Sequence, residues 1–120
     1  MIDYMSIFWP NSMSCKIKEI SNLNSLHTIE KLEQIIQVIC IYNNFHVLEK
    51  VTHTHENLNL SLIYILEECH IALKTFPGTN SLEFELLFLS KCDKNNAYQI
   101  FEFLVQSLNA DVNLSTLKID

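Results

Sequence analysis

Glu67-Glu68-Cys69-His70-Ile71-Ala72-Leu73-Lys74-Thr75-Phe76-Pro77 is the stretch that organises this chain. It reads as the polar end of one strand, a bend at Glu68-Cys69, a second strand and a stop at Pro77-Gly78. Upstream, Leu58, Leu60, Leu62, Tyr64 and Leu66 alternate with Asn59, Ser61, Ile63 and Ile65. That pattern predicts a strand that is polar at its start on one face and buried on both faces later. Downstream of the Pro77-Gly78-Thr79-Asn80 turn, Leu82, Phe84, Leu86 and Phe88 alternate with Glu83 and Glu85 as in a half-buried strand, with Ile71 to Thr75 as its partner.

Working outward, Tyr4 to Trp9 is apolar and aromatic and predicts a first strand, followed by a polar loop from Pro10-Asn11-Ser12. After a possible cap at Asn24-Ser25, apolar residues fall at Ile29, Leu32, Ile35, Ile36 and Ile39, the spacing of an amphipathic helix that stops near Tyr42-Asn43-Asn44. Phe45 to Thr52 reads as a strand and His53 to Asn57 as a loop. Beyond a loop over Lys91 to Asn96, Ala97, Ile100, Phe101, Leu104, Val105 and Leu108 form a second helical stripe, and Val112 to Ile119 a last strand. The expected order is β-α-β-β-β-β-α-β. It describes one α+β domain over 1–120, a two-layer sandwich with a mainly antiparallel sheet and two helices on one face. The uncovered face, with Ile63, Ile65, Leu87 and Leu89, suits sheet-to-sheet pairing.

Composition narrows the function classes. A chain of 120 residues can bury roughly two thirds of its unfolded surface in one core. Net charge is -6, and the eight basic residues are scattered, so no basic stripe exists for a nucleic acid to follow. The longest apolar run, Leu60 to Leu66, is too short for a membrane span and is interrupted by Ser61. Cys15, Cys40, Cys69 and Cys92 lack the paired spacing of a zinc site, and no secretory signal precedes them. Reduced thiols and a cytoplasmic location are the expectation. His53 and His55 with Cys69-His70 would offer metal donors from two separated segments only, so no metal is expected.

Chemistry enters at the bend. A Glu-Cys bond at a hinge, with Ser61, His70 and Lys74 nearby in sequence, is the arrangement a self-cleaving peptide bond needs: a thiol or hydroxyl attacks the preceding carbonyl, and the ester or thioester then eliminates. The bland alternatives are a small buried cysteine at a strand end and two solvated strand-end carboxylates.

At these residues the chain resembles the bacterial-type S-adenosylmethionine decarboxylase family, whose proenzyme hinge reads roughly Ser-Glu-Ser-His, then a histidine just before Thr-Trp-Pro-Glu. Here the same register gives Glu67-Glu68-Cys69-His70, then Lys74 before Thr75-Phe76-Pro77-Gly78. Length, element order and the aromatic helix around Phe101-Glu102 agree as well, but only the hinge motif is specific. The resemblance implies cleavage between Glu68 and Cys69, a pyruvoyl group made from residue 69, and decarboxylation of S-adenosylmethionine for spermidine synthesis. Glu68 and His70 match the motif, and Ser61 falls on a serine that assists processing and binding. Cys69 replaces the serine that becomes pyruvoyl, a swap chemistry tolerates. Lys74 replaces the processing histidine, and an ordinary lysine, with a pKa of about 10, is a poor base at neutral pH. The family's proton-donating cysteine falls at Leu89 without a gap, at Ser90 with one inserted residue and at Cys92 with a longer slip. Phe45, Tyr64 and Phe76 are aromatic candidates to stack on the adenine of S-adenosylmethionine. Two functions follow from the resemblance: a catalytically impaired relative that binds a ligand or pairs with an active family member, or an active pyruvoyl enzyme working as a homodimer on S-adenosylmethionine or a related amino acid.

Overall fold

Two strands meeting at a two-residue turn form the centre of the molecule. In the computed structural model, which describes residues 12–88 and 94–120, strand β3 spans Leu60–Leu66 and β4 spans Cys69–Phe76. The turn between them is Glu67-Glu68, so Cys69 is the first residue of a strand rather than part of the bend. β2 (Val47–Thr54) pairs with β3 on one side, and β5 (Ser81–Phe88) with β4 on the other. β1 (Ser12–Ile17) joins β5, and β6 (Thr116–Ile119) closes the sheet against β1. The result is a six-stranded sheet of order β2-β3-β4-β5-β1-β6 in which every pairing is antiparallel.

Helices α1 (Leu23–His27), α2 (Ile29–Tyr42) and α3 (Lys94–Leu108) supply the second layer. Period-2 alternation decides which side they cover. Leu60, Leu62, Tyr64 and Leu66 of β3 share one face with Cys69, Ile71, Leu73 and Thr75 of β4 and with Leu82, Phe84 and Leu86 of β5, and all are buried. Leu32, Ile36, Ile39 and Cys40 of α2 and Ala97, Ile100, Leu104 and Leu108 of α3 meet them in one core. The expected α+β sandwich with an antiparallel sheet is therefore present.

Several local expectations differ. The strand expected at Tyr4 to Trp9 lies outside the described residues. A first strand occurs instead at Ser12–Ile17, where a loop was expected, because its Met13, Cys15 and Ile17 alternate into the core. The proposed cap Asn24-Ser25 lies inside the short extra helix α1, whose Leu26 is fully buried. Strand β2 runs two residues further along the chain than expected. Leu58 is not a strand residue but sits in a turn at φ 68, where its N–H bonds the His55 carbonyl. β3 is buried on one face only, since Ile63 and Ile65 remain 47% and 38% exposed. The last strand is shortened to four residues because Asp111 holds a turn, accepting bonds from the N–H groups of Asn113 and Leu114.

Candidate functional site

The two-residue turn sets the geometry of every residue around it. Cys69 follows it directly and points to the helix-covered side, with none of its surface exposed. Burial pushes its thiol up to about 12, with the Cys40 thiol of α2 and Glu68 adding to the shift. Glu68 itself stays outside. Its carboxylate accepts the His46 backbone N–H at 2.9 Å and meets His46 Nδ1 at 2.7 Å. These two bonds, more than the opposite charge, hold the Glu68 carboxyl below its usual range, while the same contact holds the His46 imidazole above its own.

His70 and Lys74 stand on the opposite, open face of β4. Along a strand, odd separations put side chains on opposite faces, and five residues span about 16 Å. Cys69 and Lys74 are thus separated by both the sheet and its length. Ser61 lies at the Lys74 end, as its direct cross-strand partner. Its hydroxyl meets His55 Nε2 at 2.8 Å, and the His53 and His55 rings stand edge to face at 4.6 Å. One polar row crosses the open face there, from His53 through Ser61, Lys74 and Glu83 to Lys16. Phe76, two residues beyond Lys74, lies on this face with its ring 5.7 Å from the Lys74 ammonium.

Phe45 and Tyr64 belong to the other side. They line one cavity of about 540 Å³ between α2 and β2, together with Cys40, Glu33 and Lys50. The Tyr64 hydroxyl donates to Glu33 at 3.3 Å, and the Lys50 ammonium pairs with the same carboxylate. Phe45 packs edge-on against Phe88, the residue opposite Cys69 in the β4–β5 register. The sequence candidates therefore fall into two groups. Glu68, Cys69, Phe45 and Tyr64 gather at the turn end on the helix side, and Ser61, Lys74 and Phe76 at the far end of the open face. His70 is on the open face at the turn end. Leu89, Ser90 and Cys92 lie outside the described residues.

Four participants were not singled out from sequence: His46, His55, Glu33 and Cys40. His55 was in view only as a metal donor. No motif spacing marks them, because each is brought to its partner by sheet register or helix packing. Among the described residues, one group of three could offer atoms to a metal ion, with the ligand atoms of His46, Glu67 and Glu68 within 4.8 Å of one another. His46 Nδ1 already meets Glu68 Oε2 at 2.7 Å, with Glu67 Oε2 at 3.8 Å. The His53-His55 pair sits at the opposite end of the hairpin from Cys69-His70. No helix among the described residues is long and apolar enough to cross a membrane.

Comparison with known proteins bears on the family and the fold. Residues 15–118 match the sequence profile of a family described as S-adenosylmethionine decarboxylase. The fold is similar to the crystal structure of the adenosylmethionine decarboxylase from Aquifex aeolicus VF5, with a TM-score of 0.72 over 93% of this chain and 90% of that one. The two are 11% identical, so this likeness speaks to fold alone. No curated protein matches the chain.

Proposed function

The chain belongs to the S-adenosylmethionine decarboxylase family, and from that premise we propose that it is a catalytically impaired member whose hinge remains joined between Glu68 and Cys69. The family works through a pyruvoyl group, which in this chain would have to come from Cys69. The residues present do not fit its formation. Cys69 is fully buried, with its thiol pushed up to about 12. Lys74, in the place of the family's processing histidine, is on the other face of the sheet. The replacement of the family's pyruvoyl serine by a fully buried Cys69, and of its processing histidine by Lys74, is the observation that carries the reading.

What the fold retains is a capacity to bind and to pair. The cavity bounded by Phe45 and Tyr64 offers two aromatic rings, with the Glu33 carboxylate already paired to Lys50, a setting in which S-adenosylmethionine or a related small molecule can stack. Phe76 is too far round the sheet to share that cavity. The open face carries Val51, Ile63, Ile65 and Leu87, each between 38% and 55% exposed, with Ala72 between them. An apolar patch of this kind on an otherwise charged sheet suits a second sheet of the same shape. The partner is a second copy or an active family member, and the role is regulatory in spermidine synthesis.

Intact mass of the purified full chain, before and after incubation at neutral pH, tests the reading. A single uncleaved species is expected. Two fragments parted between Glu68 and Cys69, the second with a pyruvoyl mass at its start, would overturn it in favour of an active decarboxylase with Ser90 or Cys92 as proton donor.

A further inference from the structure

A turn of two acidic residues between long strands carries like charges side by side, which by itself favours fraying. Here it is gripped from outside by a single residue that the hinge motif does not contain. His46 lies between the end of α2 and the start of β2, flanked by Phe45, whose ring rests on Phe88, and by Val47, which pairs with Leu66. It makes three bonds to the turn: its N–H to Glu68 Oε1 at 2.9 Å, its ring Nδ1 to Glu68 Oε2 at 2.7 Å, and its carbonyl to the Glu67 N–H at 3.0 Å. The Glu67 carboxylate lies 3.8 Å from the same ring nitrogen.

We propose that His46 is the positioning residue of the hinge: its ring and backbone together hold the Glu68 side chain and so fix the orientation of the Glu68-Cys69 peptide bond against β2. The inference rests on reading this turn as the functional centre, but not on whether the bond is cleaved. The titratable groups recorded around the contact are Glu67 and Glu68 on the turn and the buried Cys40 thiol on α2, which also senses Glu68. The His46 imidazole, raised above 6.5, contributes fully below that value and loses its contribution as pH climbs through its folded pKa. Glu68, lowered from 4.5, contributes fully above that value and loses its contribution as pH falls through its folded pKa. The grip is complete between those two values.

Nuclear magnetic resonance of the full chain tests this. His46 should titrate above 6.5 and return toward it in Glu68→Gln. Protection of the Glu67 amide against exchange, corrected for intrinsic rate, should fall by about fivefold when pH rises past the His46 pKa. His46→Asn, whose side-chain nitrogen can replace Nδ1, should keep the protection and abolish the pH step, whereas His46→Ala should lose both. An ordinary His46 titration that Glu68→Gln does not move would overturn the proposal, as would unchanged protection in His46→Ala. Cleavage detected by mass would sink the impaired-enzyme reading while leaving these measurements to stand or fall on their own.

Discussion

Cys69 condenses the problem at the scale of a single residue. Its neighbours in sequence argue for a reactive position, and its neighbours in space argue for a core position. A thiol in apolar surroundings loses the solvation that would stabilise its anion, and the neighbouring Cys40 thiol and Glu68 add to that effect. Cys15, buried in β1, is pushed up to about 12 for the same reason. Peptide-mapped alkylation of the native chain at pH 8 should therefore modify Cys69 and Cys15 slowly, at least about a hundredfold below their rates in denaturant. Rapid native labelling of Cys69 would mean that the hinge opens readily, and the argument against processing would lose its footing. The motif was legible at this scale, since the family resemblance rests on Glu68, Cys69 and Lys74 in the hinge. Which face each occupied followed only from where the strand began. A bend at Glu68-Cys69 would leave residue 69 unassigned to either face, whereas a strand starting at Cys69 commits it to the core.

Among the elements, the β2–β3 hairpin shows how local chemistry and register can disagree. The sequence contains no glycine between His53 and Leu60, and the turn is built with Leu58 at φ 68, a left-handed conformation that costs a branched side chain about 1 kcal/mol or more. Leu58 is largely exposed, so little packing offsets that cost. Leu58→Gly should raise stability by up to about 1 kcal/mol, the relief of strain being partly cancelled by a freer unfolded chain. Urea unfolding measures it, and a destabilised variant would show that the leucine packs better than its exposure suggests. The strain persists because register leaves no choice. Leu60, Leu62, Tyr64 and Leu66 must all face the helices, and the buried Thr75 hydroxyl accepts the Leu60 N–H at 2.9 Å, tying the start of β3 to β4. Alternation in β3 and β5 was readable for the same reason it is binding: slipping by one residue would turn each hydrophobic set to solvent. The edges of β2 and the short α1 were less readable, because β2 is exposed along its whole length and carries no burial pattern to delimit it.

The whole molecule has one covered and one open sheet face, and the pairing proposed above rests on that asymmetry. Ile63 and Leu87 are about half exposed in the single chain, so Ile63→Glu combined with Leu87→Glu removes little packing within it. Light scattering should find the parent chain paired and this variant monomeric, with a midpoint of unfolding at low concentration close to that of the parent. A parent chain that is monomeric at all concentrations would remove the open face as a pairing surface. The α+β class, the antiparallel sheet, both long helices and the family resemblance were all determined by the sequence itself. They rest on periodicity and on one short motif, which are properties of neighbouring residues. Only the tertiary structure decided that Lys74 stands across the sheet from Cys69, that Ser61 pairs with His55, and that His46 closes on Glu68. Those relations join residues from different strands and from opposite faces, and only strand register and the parity of the pleat assign them.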